Sequence, residues 1–104
     1  MPETTDDRTR EMDHLPTLHL NGSGLDNLLE QRRDVLHALR DLQDALAHAR
    51  PHGRDYYVNP DPDALNKARA VHEARTAQVQ DMVDEINAEV RGLLRQDAER
   101  RRHR

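Results

Sequence analysis

The sequence predicts an all-α protein: a two-helix antiparallel hairpin, with helices at about 25–50 and 62–96, that assembles into a homo-oligomeric helical bundle. Three observations predict this fold class. Two long stretches carry apolar residues spaced alternately three and four positions apart, which is the repeat of one helix face. A proline-containing segment separates the two stretches and is short enough to turn the chain back. The 104 residues include no Cys, Trp or Phe, so one copy has little material for a core.

The chain is short enough for one domain, and its two ends differ from its middle. Residues 1–14 are polar and charged and are predicted to be a disordered tail. Residues 15–22 are predicted to form a short extended segment ending in an Asn-Gly turn. The helical hairpin is then expected over 23–96, followed by an Arg-rich tail at 97–104.

The first helix has a clear start and a clear end. Ser23 is the predicted N-cap, and Asp26 follows three residues later as the second member of a capping box. The helix should end before Pro51, because the residue preceding a proline is biased away from helical geometry. Its apolar stripe, which Arg32 interrupts, consists of Leu25, Leu28, Leu29, Val35, Leu36, Leu39, Leu42, Leu46 and Ala49.

The second helix also has a clear start. Asp61 is a good N-cap and Pro62 suits the first helical position. The helical pattern fades into Arg-rich sequence after Gln96. Its stripe consists of Leu65, Ala68, His72, Arg75, Val79, Met82, Ile86, Val90, Leu93 and Leu94.

The turn and the stripes predict a register and an assembly. If the two helices meet directly at the turn, Leu39 lies opposite residues 70–72 and Arg32 lies near Val79. Each stripe is wider than one partner helix can cover. We therefore expect at least two hairpins to pack into a bundle of four or more helices.

Charge and hydropathy exclude several classes of protein. The net charge of −4 argues against a uniformly basic nucleic-acid surface, so nucleic acid is not the predicted partner. The Arg-rich tail could touch phosphates, but a solvated helix end is the preferred interpretation. No apolar run is long enough to span a membrane, and the polar N-terminal residues are unlike a secretory signal. The predicted location is the cytoplasm.

Neither catalysis nor metal binding is predicted. The sequence has no Cys, no nucleophile elbow and no phosphate-binding loop, so we expect a non-enzymatic protein without a cofactor. His48 and His52 are four residues apart, a spacing that pairs metal ligands on a helix. Pro51 lies between them and should break that helix, so no metal site is predicted.

The only two aromatic residues, Tyr56 and Tyr57, are neighbours in the segment that joins the helices. Arg50 and Arg54 lie in the same segment. Arginine forks bind phosphate or carboxylate, and tyrosine rings stack on bases, so these four residues form a candidate ligand-binding site. The alternative, which we prefer on general grounds, is that the tyrosines plug the end of the hairpin.

Three polar residues, Arg32, His72 and Arg75, lie on the apolar stripes and need partners if they are buried. An anionic ligand between protomers could meet them, and His72 and Arg75 are included in the candidate site for that reason. The preferred interpretation is exposure at a rim, with only the alkyl stems buried. The third option is that the three residues pair with the carboxylates of neighbouring residues such as Glu30, Asp34 and Glu73.

Several of these stretches resemble an uncharacterised group of small bacteriophage proteins. The resemblance covers about 18–90, and its most specific part is the Gly-Arg-Asp-Tyr-Tyr run at 53–57. It implies a phage origin and no particular activity. At the level of fold alone, the predicted hairpin is also similar to phage counter-defence sponges, which oligomerise and sequester nucleotide signals between protomers. No sponge motif matches residue by residue.

The predicted function is that of a non-enzymatic phage binding protein, a sponge for a small anionic, nucleotide-like immune signal in the host cytoplasm. The residues expected to bind this ligand are Arg50, Arg54, Tyr56, Tyr57, His72 and Arg75. The alternative is a coiled-coil interaction module: an adaptor, a virion component or an inhibitor of a host protein.

Overall fold

A computed structural model describes residues 13–20 and 22–103, and it contains two long helices within them. Helix α1 spans Leu25–His48 and helix α2 spans Ala64–Arg102, with a short 3-10 turn at Gly53–Asp55 between them. No strand occurs in these described residues. The all-α class is therefore confirmed. The tail predicted at 1–14 lies, apart from its last two residues, outside the described part of the chain.

The chain divides into two compact units, each of which contains part of both helices. Unit 1 takes the residues up to Leu36 together with those from Asp84 onward, and unit 2 is His37–Val83. Within unit 1 the two helix segments run antiparallel, because Leu28 packs in the cluster of Leu93 while Arg32, one turn later, bonds Glu89. This is the arrangement expected of a helical hairpin.

Within unit 2 the two helix segments are joined directly by the connection at 49–63. The amide of Gln43 donates to Gln80 Oε1 at 3.0 Å, which fixes how the segments face each other. Leu39 and Val79 are the buried apolar residues of this unit. Two side chains are a thin core for 47 residues (37 to 83).

Helix α1 begins at Leu25, as predicted, but its cap is not the predicted residue. The first carbonyl to accept a helical bond is that of Gly24, from the N–H of Leu28 at 3.1 Å, so Gly24 rather than Ser23 is the N-cap residue. The helix ends at His48, two residues before the predicted boundary at 50.

Helix α2 begins at Ala64, two residues after the start predicted at 62 (64 − 62). The first carbonyl to accept a helical bond is that of Asp63, from the N–H of Lys67 at 3.0 Å, so Asp63 is the N-cap residue, and the predicted cap Asp61 instead holds the turn before the helix. Asp61 Oδ1 accepts a bond from the N–H of Asp63 at 2.9 Å, and the carbonyl of Asp61 accepts one from Ala64 at 3.1 Å. Lys67 Nζ lies 2.8 Å from the second carboxylate oxygen. The side chain of Asp61 therefore satisfies one of the free N–H groups at the helix start.

Helix α2 continues to Arg102, six residues beyond the boundary predicted at 96 (102 − 96). The separate tail predicted at 97–104 is thus helical up to Arg102. Ion pairs one turn apart join Asp97 to Arg101 and Glu99 to Arg102, and such pairs support an exposed helix. Residues 100–103 are exposed, which agrees with a solvated helix end.

The predicted register is wrong. Arg32 does not lie near Val79 but bonds Glu89, ten residues further along α2 (89 − 79). Gln43 bonds Gln80, and Leu39 comes one turn before Gln43. Because the two helix segments are antiparallel, Leu39 faces residues of α2 that follow Gln80, and not residues 70–72.

The connection explains this shift. A Cβ placed on Gly53 would lie 3.8 Å from the Leu65 side chain, so the connection runs beside the first turns of α2. Those turns pack on the connection, and α1 meets α2 only further along. The predicted register assumes that the connection is a simple turn, and this is why it fails.

The most buried cluster lies in unit 1. It joins Leu18, which precedes α1, to Leu28 of α1 and Leu93 of α2, and Leu93 is 0% exposed. Three half-buried residues pack around it, namely Leu15, Leu25 and Leu29. Neither helix in the described residues holds a stretch apolar enough to cross a bilayer.

Candidate functional site

The connection between the helices holds both tyrosines in a run of tight turns. The N–H of Tyr56 donates to the carbonyl of Gly53 at 2.9 Å, and the N–H of Asn59 donates to the carbonyl of Tyr56 at 3.0 Å. These bonds fold residues 53–59 back on themselves. Tyr56 and Tyr57 are therefore presented by hydrogen-bonded backbone.

An open depression of about 420 Å³ lies beside these turns. Tyr56 is half-buried in its wall, whereas Tyr57 is 81% exposed. Tyr57 therefore does not plug the end of the hairpin, and a ring with this exposure is free to stack on a ligand. The depression is lined by Gly53, Tyr56, Tyr57, Asn59, Pro60, Asp61, Pro62 and Leu65.

The charge in this depression is negative. Asp61 lines the depression, and the pKa of its carboxyl is lowered below 3.8. The main cause is the hydrogen bond from Lys67, and the second is the hydrogen bond from the N–H of Asp63. Asp61 is an anion at neutral pH. Arg50 and Arg54 are exposed and do not line the depression. The expected pairing of arginine forks with stacking rings is therefore not assembled in this structure.

His72 and Arg75 lie further along α2 and do not line the depression either. His72 is half-buried and its carbonyl accepts a bond from the Thr76 hydroxyl at 3.0 Å, while Arg75 is exposed. All six predicted ligand residues belong to unit 2, but the depression brings together only two of them, Tyr56 and Tyr57.

Arg32 is largely buried and paired, contrary to the rim position predicted for it. Its Nε lies 3.1 Å from Glu89 Oε1, and the two side chains are only 15% and 13% exposed. Its Nη1 also donates to the Leu28 carbonyl at 3.3 Å. The partner is none of the three carboxylates named from the sequence.

Glu89 collects further contacts around Arg32. Its second oxygen, Oε2, lies 2.8 Å from His14 Nε2. The signal that could have found it is its position in α2: a carboxylate one residue before Val90, in the most apolar part of the stripe, needs a cationic partner. Because the predicted register placed Arg32 near Val79, its pairing with Glu89 was not predicted.

Gln96 makes a second set of long-range contacts that the sequence did not indicate. Its Oε1 accepts a bond from the N–H of Leu18 at 3.0 Å, and its Nε2 donates to the carbonyl of Pro16 at 2.8 Å. One amide side chain thus holds two backbone groups of the segment before α1. The alternation of apolar residues at 15–20 was the available signal that this segment packs on something.

Three half-exposed apolar side chains of unit 2 lie on one side of the helix pair, and we call them the unit 2 face. They are Leu42 of α1 with Val71 and Met82 of α2, which are 44%, 50% and 47% exposed. Exposed Arg75 and Gln78 lie between two of them on the same side of α2.

The helical repeat places Val71 and Met82 on one side of α2, about a quarter turn from buried Val79. On α1, Leu42 is rotated about the helix axis from buried Leu39 by a similar angle and in the same direction. Because the two helices of the pair are antiparallel, this rotation places Leu42 on the same side of the pair as Val71 and Met82.

Comparison with known proteins assigns no function to these sites, because no protein-family model, curated protein or solved structure matches the chain.

Among the described residues, no group of three His, Asp or Glu side chains is arranged to hold a metal ion. His48, one of the two histidines considered as metal ligands, instead donates from Nδ1 to the carbonyl of Asp44 at 2.8 Å.

Proposed function

We propose that this chain is a non-enzymatic binding protein that acts by self-association, and that two copies bind through the unit 2 face. The observation that carries the proposal is the half exposure of Leu42, Val71 and Met82. Unit 2 buries only two apolar side chains within one copy, so a second copy would supply the core that it lacks.

The size of the face indicates how strong the association is. Burying the exposed half of a Leu, Val or Met side chain is worth about 1 kcal/mol. Three such residues on each copy give about 6 kcal/mol for a pair, against an association cost of about 4–15 kcal/mol. Apolar burial on this face alone therefore supports only a weak, reversible association whose extent depends on protein concentration.

Charge favours a second copy over an unrelated partner. The α1 part of unit 2, His37–His48, carries Arg40 against two aspartates, which is a net −1. The first part of α2, residues 64–76, carries three bases against one acid, and because Lys67 already pairs with Asp61 of its own copy, the charge left for a second copy is a net +1. A copy that places its α1 on the first turns of the other copy's α2 therefore brings opposite charges together.

Sedimentation of a double variant tests this proposal. Leu42→Glu with Met82→Glu puts one charge on each helix of the face, and should leave a monomer with unchanged helix content. The matched control is Ala47→Glu with Ala77→Glu, which adds the same charge at exposed positions outside the face. The control should associate like the wild-type chain. A wild-type chain that stays monomeric at high concentration would overturn the proposal, and co-purification of a host protein on the same face would then support the interaction module instead.

A second candidate function is binding of a nucleotide-like ligand at the depression beside the tyrosines. It is favoured by one observation, the exposed ring of Tyr57 at the edge of a depression of about 420 Å³. Together with the resemblance to phage proteins, such a site would make the chain a sponge for an immune signal. Arg54, three residues before Tyr57, would have to turn toward the ligand to meet a phosphate.

Thermal shift with cyclic dinucleotides and ADP-ribose isomers tests this candidate, because a ligand that binds the folded state raises the melting temperature. Replacing both Arg54 and Tyr57 with Ala should remove the shift. Val58→Ala is the matched control, since Val58 is exposed but does not line the depression. Asp61→Asn should strengthen the binding of an anion by removing a negative charge from the wall. Absence of any shift, or a shift that survives in the double variant, would exclude this site.

A further inference from the structure

The residues just before α1 are held in unit 1 like a bound peptide. We call residues 13–20 the docked segment. It has no helix or strand of its own, and residues 16–19 lack any regular turn. What holds it are side chains of the two helices.

Gln96 recognises the backbone of the docked segment. Pro16 and Leu18 are two residues apart, and in an extended chain the carbonyl of the first and the N–H of the second can reach one amide. Gln96 bonds both, at 2.8 Å and 3.0 Å. The side-chain amide of Gln96 has one acceptor group and one donor group. It can therefore bind one N–H and one C=O of an extended backbone, irrespective of the side chains that this backbone carries.

Leu18 is the anchor of the docked segment. It is buried between Leu28 of α1 and Leu93 of α2, whereas its neighbours Thr17 and His19 are exposed and Leu20 is 94% exposed. A groove that binds an extended peptide takes up alternate side chains, and here half-buried Pro16 and buried Leu18 alternate with exposed Thr17.

The rest of the groove fits the same interpretation. His14 Nε2 lies 2.8 Å from Glu89, which Arg32 holds in place from α1. Gly92, buried in α2, lines a hollow together with Leu15 and Thr17.

We propose that this groove of unit 1 is a recognition site for an extended peptide of the pattern His-Leu-Pro-x-Leu. The chain's own docked segment occupies it, and a partner protein that presents the same pattern replaces that segment. The buried Leu18 side chain, the half-buried Leu15 side chain and three hydrogen bonds hold the segment, and residues 21–24 link it to α1 through Gly22 and Gly24. The site is separate from the unit 2 face.

The test must first remove the advantage of the tethered segment, whose effective concentration is about millimolar. A protease site inserted within residues 21–24 of the full chain allows it to fold intact and then be cut. A fluorescent peptide of residues 13–20 is added to the cut chain and its anisotropy is measured. Unlabelled peptides then compete for the groove.

We expect the labelled peptide to bind, and the peptide with Leu18→Ser to compete at least about tenfold more weakly, since it lacks the buried anchor. The peptide with Leu20→Ser is the matched control and should compete like the natural sequence, because the Leu20 side chain is exposed. Gln96→Ala in the chain should weaken the natural peptide by a similar factor. Circular dichroism of the cut chain checks that the helices remain.

Two results would overturn the proposal. If the cut segment stays in place at any concentration of competitor, it is a fixed part of the core and the groove takes no ligand. If the Leu18→Ser and natural peptides compete equally, the groove does not read the pattern. Neither result depends on self-association, since Leu42→Glu with Met82→Glu leaves this groove intact.

Discussion

Glu89 is the residue on which the largely buried charge of Arg32 depends. Replacing Glu89 with Ala leaves a guanidinium without its carboxylate in a site where the side chain is only 15% exposed. We expect a loss of about 1–3 kcal/mol in the free energy of unfolding, measured by urea denaturation. Glu85→Ala, an exposed position one turn earlier, is the control and should change it by less than about 0.5 kcal/mol. Equal effects would mean that the pair contributes no stability.

Leu93 is the best-buried side chain of the described residues, and its neighbour Leu94 supplies a control of identical chemistry. Leu93→Ala should cost about 2–5 kcal/mol, because it removes contacts and leaves a cavity. Leu94→Ala, about half exposed, should cost less than about 1.5 kcal/mol. Denaturation of the two variants side by side measures the difference. Similar losses would contradict the burial of Leu93 by the docked segment.

At the scale of the element, the start of α2 depends on pH through Asp61. Its pKa is lowered by the Lys67 bond and then by the Asp63 N–H, so the folded state prefers the carboxylate. The stabilising contribution is complete above 3.8 and is lost as the pH falls through the lower, folded-state value. Asp61→Asn keeps the accepting oxygen but cannot titrate. We expect the wild-type chain to lose more stability than this variant as the pH falls below 3.8, and parallel curves would refute the effect.

The starts of the helices were predictable to within two residues, because they depend on neighbours in sequence. Asp61 followed by Pro62 predicts a helix start, and Asp61 does accept a bond from the N–H of Asp63, but the helix itself begins at Ala64. The end of α2 was not predictable from apolar periodicity. Asp97 and Glu99 pair with arginines along the helix surface, and a solvated helix of this kind has no apolar stripe to reveal it.

At the scale of the whole chain, the sequence predicts the antiparallel hairpin but not which residues meet. The position of Arg32 against Glu89 depends on a connection that packs beside Leu65, and no local pattern encodes that packing. A short extended segment was predicted at 15–22, but the site on which it packs was not predicted for the same reason, since Gln96 and Leu18 are 78 residues apart in sequence. Of the candidate ligand site, the tyrosines were found because they are the only aromatic residues.

Few side chains among the described residues are buried in one copy, so the proposed self-association would make the stability of the chain depend on its concentration. The buried apolar residues among those described are Leu18, Leu28, Leu39, Val79 and Leu93. Association that occurs only between folded copies shifts the unfolding equilibrium by mass action, so the melting temperature should rise with protein concentration. In the Leu42→Glu, Met82→Glu variant it should stay constant, because that chain has lost its unit 2 face. Calorimetry or circular dichroism over a wide concentration range measures both. A wild-type melting temperature that does not change with concentration would mean that a single copy is stable with its apolar residues half exposed.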